Sequence, residues 1–201
     1  RADGRAALGT LVVCPLVLCE QWAAEVRSKL PRGGRTAVCV HHGAKRETSA
    51  AKLAGYDVVV TTYETVRVEH ARGSRHRALF GLKWWRVVLD EAHVVRNRNT
   101  AVSKAVCDLE RRHSWCLSGT PIQNKLDDLY ALLRFLRYPE FGADYKVFEE
   151  MLKAAERSAA VRGKKRAAQH HGSEGERLHA ILRSVMIRRC KADTFGGQAI
   201  L

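Results

Sequence analysis

Arg86-Val-Val-Leu-Asp-Glu-Ala-His93 joins a short apolar run to two adjacent carboxylates and a histidine. A brief, nearly continuous run of β-branched residues is how a strand covered on both faces of a parallel sheet reads. A carboxylate just past such a strand can hold Mg²⁺, usually through water. The adjacent carboxylate can orient and deprotonate an attacking water, and a histidine three positions after Asp90 can sense a phosphate. The competing reading is a strand end followed by an acidic helix start, with Glu91 at a favourable dipole position.

Outward from this stretch the same grammar repeats. Leu11–Cys14, Thr36–Val40, Asp57–Thr61, Arg86–Asp90 and Trp115–Ser118 all read as buried strands. Between them, Leu18, Trp22, Val26 and Leu30 fall on one helical face, which Pro31, Gly33 and Gly34 close. Ala44–Ala54 and Thr100–Leu109 are further helices, the second capped by Asn99 or Thr100. Strand and helix in alternation predict an α/β open parallel sheet, in which ligands gather at the carboxyl ends of the strands. After Thr120 the pattern becomes helical: a leucine stripe over Asn124–Arg137 ended by Tyr138-Pro139, then helices near Asp144–Glu156 and Gly175–Ile187. Arg157–Ser173, with Arg162-Gly-Lys-Lys-Arg166 and His170-His171, reads as an exposed basic linker. The expected organisation is an α/β lobe over 1–122 and a C-terminal helical extension over 123–201.

A second chemical signal follows another strand. Ser118-Gly-Thr-Pro-Ile-Gln-Asn124 places short polar groups in a turn set by Gly119 and Pro121. Such groups can bridge a phosphate site and a nucleic-acid site; the plainer reading is a turn and cap before the leucine-rich helix.

Composition narrows the class. The chain has 201 residues, 35 Lys+Arg against 21 Asp+Glu and a net charge of +14. Its 46% hydrophobic content supports a packed core, which excludes a wholly disordered tail. No apolar stretch is long enough to cross a membrane, and Arg1–Thr10 lacks a signal core. The six cysteines show no CxxC pair and no zinc spacing; most lie in apolar runs, so buried reduced thiols and an intracellular setting are expected. The charge points to a polyanionic partner, nucleic acid first. Arg67, Arg72, Arg75, Arg77, Arg96, Arg98, Arg111 and Arg112 are the basic residues nearest the motifs, although for any one of them a solvated face is the favoured reading. The four tryptophans are expected to pack in the core or on the lobe surface.

Taken in order, these segments resemble the first ATPase lobe of the SWI/SNF family of DNA translocases, in helicase superfamily two. Leu11-Val-Val-Cys-Pro-Leu16 with Gln21-Trp22 and Glu25 is similar to motif Ia, and His42-Gly43 with Arg46 to a Tyr-His-Gly element, with His41 in the Tyr place. Asp57–Glu64 resembles motif Ib, Leu89–His93 with Arg96-Asn97 motif II, and Leu117–Asn124 motif III. Ile187-Arg-Arg-Cys-Lys191 is similar to the segment closing the first lobe. The stretch from Trp85 to Arg112 and the tail after Arg188 look closest to the postreplication-repair branch, without the RING insertion many of its members carry. The resemblance implies a RecA-like lobe that uses ATP and Mg²⁺. It implies that Asp90 holds the metal through water and Glu91 activates water. His93, Ser118, Gly119 and Thr120 would couple nucleotide state to movement. Thr61, Thr62, Gln123 and Asn124 would meet the DNA backbone, where hydroxyl and N–H groups suit phosphate without reading sequence. The implied partners are double-stranded DNA or chromatin and a second ATPase lobe, in a nuclear setting.

One departure is plain. The family's phosphate loop is G-x-x-x-x-G-K-[ST], whose backbone N–H groups and Lys hold phosphates. No such run exists here, and Gly4 and Gly9 lack the following Lys-Thr. The chain is therefore expected to be a fragment of a longer protein, inactive alone, or else a degenerate copy. A DEAH-type RNA helicase is the rival, though it would carry Ser-Ala-Thr where this chain has Ser118-Gly-Thr120. A non-enzymatic nucleic-acid-binding lobe is the other.

Overall fold

The computed structural model describes residues 6–30, 36–74, 76–120, 127–139, 144–162, 182–188, 193–195 and 198–199. Five strands, β1 (Ala6–Cys14), β2 (Val38–His41), β3 (Val58–Thr62), β4 (Lys83–Leu89) and β5 (Arg111–Cys116), form one sheet in the order β2-β3-β1-β4-β5. Every pairing in it is parallel. The connections carry α1 (Cys19–Lys29), α2 (Ala50–Leu53), α3 (Tyr63–His70) and α4 (Ala101–Asp108), and α5 (Asp127–Leu136) and α6 (Tyr145–Arg162) follow. The chain divides into two compact units, Arg1–Tyr145 and Lys146–Leu201. The second also holds a two-residue hairpin, β6 (Thr194–Phe195) with β7 (Gln198–Ala199).

The expected α/β open parallel sheet is what forms. Leu11, Val13, Val59, Val87 and Leu89 pack against Val66 of α3, Ala105 and Val106 of α4, and Leu132 and Phe135 of α5. Val12, Cys14, Val60 and Val88 face the other way, toward Cys19, Leu18 and Trp22. Burial on both sides explains why these strands read as continuous apolar runs. Each fully buried Leu or Val contributes about 1.5–3 kcal/mol. After β3 the chain crosses from one side of β1 to the other, so, although all strands stay parallel, the connections leaving β1 and β4 run to opposite sides. That is the point at which open sheets bind ligands.

Local chemistry shifts several element boundaries. The Ala44–Ala54 helix is only Ala50–Leu53. Glu47 accepts from the N–H groups of Thr48 and Ser49, and Ser49 then caps the helix by accepting from Lys52 N, so the preceding residues are drawn into a turn. The strand expected at Trp115–Ser118 is Arg111–Cys116, because a buried arginine opens it. Thr100, rather than Asn99, caps α4 through Ser103 N. In α5 the described part of the leucine helix ends at a left-handed Arg137 (φ 56°), with Tyr138 N donating to Leu133 O at 3.0 Å. Helix α6 runs on to Arg162, into the stretch expected to be a linker; positions 163–181 lie outside the described residues, and of the Gly175–Ile187 helix only 182–188 are described, with 182–185 helical.

The candidate hydrolytic site

Asp90 follows β4 directly and is held by three other elements. Its N–H donates to Val13 O of β1 at 2.8 Å. Its backbone carbonyl accepts from Tyr63 Oη, at the start of α3, at 2.7 Å. Its carboxylate accepts from Trp22 Nε1 on α1 at 2.7 Å and from Glu91 N at 3.0 Å. Burial raises the Tyr63 hydroxyl well above the usual phenol range, reinforced by Cys116, Asp90, Cys14 and Glu91, so it remains a donor.

Glu91 adopts φ 51°, ψ 49°, the left-handed region that a side-chain-bearing residue occupies at a cost of about 1–2 kcal/mol. The Glu91 carboxylate is half exposed. His93 Nδ1 lies 3.1 Å from Glu91 Oε2, near enough for charge attraction but off the line of a hydrogen bond. One strand over, Leu117 N donates to Leu89 O at 2.8 Å and Ala92 N donates to Leu117 O at 2.9 Å. These bonds seat Ser118, Gly119 and Thr120 beside the carboxylates. Ser118 Oγ accepts from Thr120 N at 3.2 Å, and a Cβ built on Gly119 would meet nothing within 4 Å, so this loop opens to solvent.

Thr61 and Thr62 end β3 with their hydroxyls committed to the fold. Thr61 is fully buried and donates to His41 O at 2.7 Å. Thr62 caps α3, accepting from Thr65 N at 3.0 Å, and its hydroxyl also pairs with that of Thr65. Gln123 and Asn124 lie outside the described residues. Among the arginines, Arg111 belongs to the interior: it is 3% exposed and donates to the carbonyls of Val106, Cys107, Leu109 and Phe135. Its expected place in a basic track is thereby corrected. Burial and the nearby Arg137 bring it down to about 10, still charged at neutral pH. Arg98 stacks on the Tyr145 ring and Arg112 on Trp85. Of the tryptophans, Trp84 is core, whereas Trp115 is 53% exposed.

Trp22 stands in the sequence on a helical stripe and within the stretch similar to motif Ia, but neither signals its bond to Asp90. That stripe covers the sheet only in part. Leu18, Trp22, Val26 and Leu30 line an apolar groove of about 820 Å³ with Val12, Val88 and Leu117, and Asp90 stands at its rim. A half-buried indole needs a partner for its N–H, and that requirement was the available signal. The five cysteines that the structure describes are free. Burial holds the Cys14 thiol far above its usual range and pushes Cys116 up to about 12, so these are protonated packing groups. No group of three or more metal-ligating side chains occurs among the described residues.

A five-stranded parallel crossover sheet with helices on both faces is a RecA-like fold, and here it carries two carboxylates and a polar loop at its switch point. A solved Sulfolobus solfataricus SWI2/SNF2 ATPase core in complex with double-stranded DNA has this fold, with a TM-score of 0.69 and 28% identity over 93% of this chain and 35% of that one. The chain belongs to the SNF2 family: the SNF2-related domain matches residues 3–200. It is 47% identical to transcription termination factor 2 of Drosophila melanogaster and 36% identical to DNA repair protein RAD5A of Arabidopsis thaliana, over 92% of this chain in both cases. It spans only 16% and 17% of the length of those two relatives.

Proposed function

We propose that this chain is the hydrolytic first lobe of an ATP-dependent translocase on double-stranded DNA or chromatin, working in the nucleus in repair or transcription. The observation that carries the reading is the fixed Asp90–Glu91 pair at the switch point, bonded through Ala92 and Leu117 to the Ser118–Thr120 loop. In this reading residues 1–122 are the ATPase lobe and 123–201 its extension. The phosphate loop and second lobe belong to other parts of a longer protein, consistent with the small share of each relative that the chain spans.

Asp90 suits Mg²⁺. A carboxylate has about four lone-pair sites, and two of those on Asp90 are taken by neutral N–H donors, leaving room for metal-bound water. Bound Mg²⁺ supplies charge that neutralises the β and γ phosphates of ATP. Glu91 takes the proton of the attacking water. Its left-handed backbone lies between Asp90 and Ala92, whose N–H is bonded to Leu117 O. His93 and the Ser118–Gly119–Thr120 loop, which follow Ala92 and Leu117 closely in the chain, pass nucleotide state to the lobe surface. Thr61 and Thr62 shape the DNA side: with their hydroxyls engaged and Thr65 N taken by Thr62, the N–H groups of Tyr63 and Glu64 that open α3 are what this strand end presents to a phosphate. Gln123 and Asn124 extend that side in this reading.

The second reading is a lobe that binds nucleic acid without hydrolysis. Glu91→Gln in the full-length protein separates the two. The expected result is retained ATP binding with DNA-stimulated hydrolysis down by about 10²–10⁴-fold. Unchanged hydrolysis overturns the assignment. Stimulation by RNA rather than duplex DNA would favour the RNA-helicase rival.

A further inference from the structure

Trp22 and Asp90 are 68 residues apart in sequence and 2.7 Å apart in space. The indole N–H is the only side-chain donor to the Asp90 carboxylate among the hydrogen bonds of the described residues, the other donor being the adjacent Glu91 amide. Trp22 itself is fixed by packing: it lies with Leu18 against Val12, Cys14, Val60 and Val88, along the groove between α1 and the sheet. Rotating the indole away would move an apolar ring out of that contact, so the donor is pre-aimed.

From this geometry we infer that Trp22 is a positioning residue for the metal-holding carboxylate, an inference that rests on the proposed hydrolytic role of Asp90. A carboxylate on a flexible Cβ–Cγ bond must be oriented before a hydrated divalent cation gains full use of it, and second-shell donors perform that task in metal sites. Indole suits this position for three reasons. It donates but never accepts, so it cannot compete for the cation. It carries no charge, so it leaves the full negative charge of Asp90 available, where Lys or Arg would cancel it. It does not titrate, where His would. Trp22 also stands on the helix that follows the Leu11–Leu16 segment, while Tyr63 holds the same aspartate from the helix following Thr61 and Thr62. The Thr61–Thr62 segment proposed to face DNA therefore leads, through Tyr63, to the residue proposed to hold the metal. Trp22 acts on its side chain and Tyr63 on its backbone.

The test is Trp22→Phe, which keeps an aromatic ring in the groove and removes only the donor. Binding of Mn²⁺ as a Mg²⁺ probe is followed in the full-length protein by electron paramagnetic resonance, with a non-hydrolysable ATP analogue present. The same measurement is made on Asp90→Asn and on the double variant. The expected results are a 5–15-fold weaker Mn²⁺ affinity for W22F, equivalent to loss of a hydrogen bond to a charged group, about 1–1.6 kcal/mol. A larger loss is expected for D90N, and no additional loss from W22F in the D90N background. Wild-type Mn²⁺ affinity in W22F, with D90N impaired, overturns the positioning role alone. A W22F defect that persists undiminished in the D90N background also overturns it, because that is general structural damage. Unchanged Mn²⁺ affinity in D90N overturns both this role and the metal assignment of Asp90.

Discussion

Glu69 Oε1 accepts from His41 Nε2 at 2.8 Å, with both side chains fully buried. The same oxygen accepts from Arg46 Nε at 3.1 Å, and Oε2 accepts from Leu79 N at 3.0 Å. Burial alone would raise the Glu69 carboxyl, but the bonds from His41, Leu79 and Arg46 outweigh it and hold it below the usual carboxylate range. The cluster joins β2, α3, the loop after β2 and the turn before β4. His41 O also receives the Thr61 hydroxyl, so the cluster braces the end of β3.

Removing one partner leaves the other as an uncompensated buried polar group. Glu69→Ala is expected to cost about 3–5 kcal/mol in urea unfolding. The pH dependence has a definite sign. A carboxyl depressed in the folded state adds stability that is fully present above its unfolded value, and that stability is lost as pH falls through the lowered folded value. Glu69→Gln should therefore flatten the acid limb of stability against pH while leaving the neutral-to-alkaline slope as it was. An acid limb identical to wild type would refute the charged role of Glu69.

Gly9 shows that a glycine near the N-terminus serves packing rather than phosphate. A Cβ there would lie 2.6 Å from Tyr56 O and 3.2 Å from Asp57 O. The same close approach lets Thr10 N donate to Asp57 O at 2.8 Å, beside an irregularity in the β1–β4 register between Ala7 and Thr10. Gly9→Ala is expected to destabilise by about 1–3 kcal/mol, measured by denaturant midpoint. A midpoint equal to wild type would show that the strand shifts freely.

Arg111 fastens the ends of two helices. Its guanidinium satisfies carbonyls at the end of α4 and one in the last turn of α5, and its Nε donates to Ser114 Oγ at 2.7 Å. Lysine cannot reproduce that planar fork. Arg111→Lys is expected to lose about 2–4 kcal/mol, through carbonyls left without donors. DNA affinity of the folded variant should match wild type, which a fluorescence-anisotropy titration would read. A salt-dependent loss of DNA binding would instead return Arg111 to the basic track.

Thr62 separates fold from binding in the same way. Thr62→Ala removes the α3 cap and should cost about 1 kcal/mol, whereas Thr62→Ser keeps the cap oxygen and should be nearly neutral. If the hydroxyl also reached DNA, Thr62→Ala would weaken affinity at temperatures where the variant is fully folded. The geometry predicts no such weakening.

Much of the candidate site was legible because its signals are local. The apolar run before Asp90 declared a buried strand, and adjacency in sequence placed Asp90, Glu91 and His93 at one strand end. The Ser118–Thr120 turn followed the same rule. Helix ends were less legible, since Glu47 takes the amides of Thr48 and Ser49 while Ser49 caps at Lys52 N, and together they shorten α2 in a way periodicity does not register. Arg111 read as a surface charge because nothing nearby in sequence foretells that α4 and α5 end together around it.

By itself the sequence determined the strand–helix alternation, the family motifs and the order of the chemical groups along the chain. These depend on side-chain periodicity and on residues next to one another. Only the tertiary structure decided the strand order, the burial of Thr61, and the partners of Glu69 and Asp90. Each of those depends on which distant segments share an interior where a polar group must find a partner, and a one-dimensional pattern does not carry that requirement.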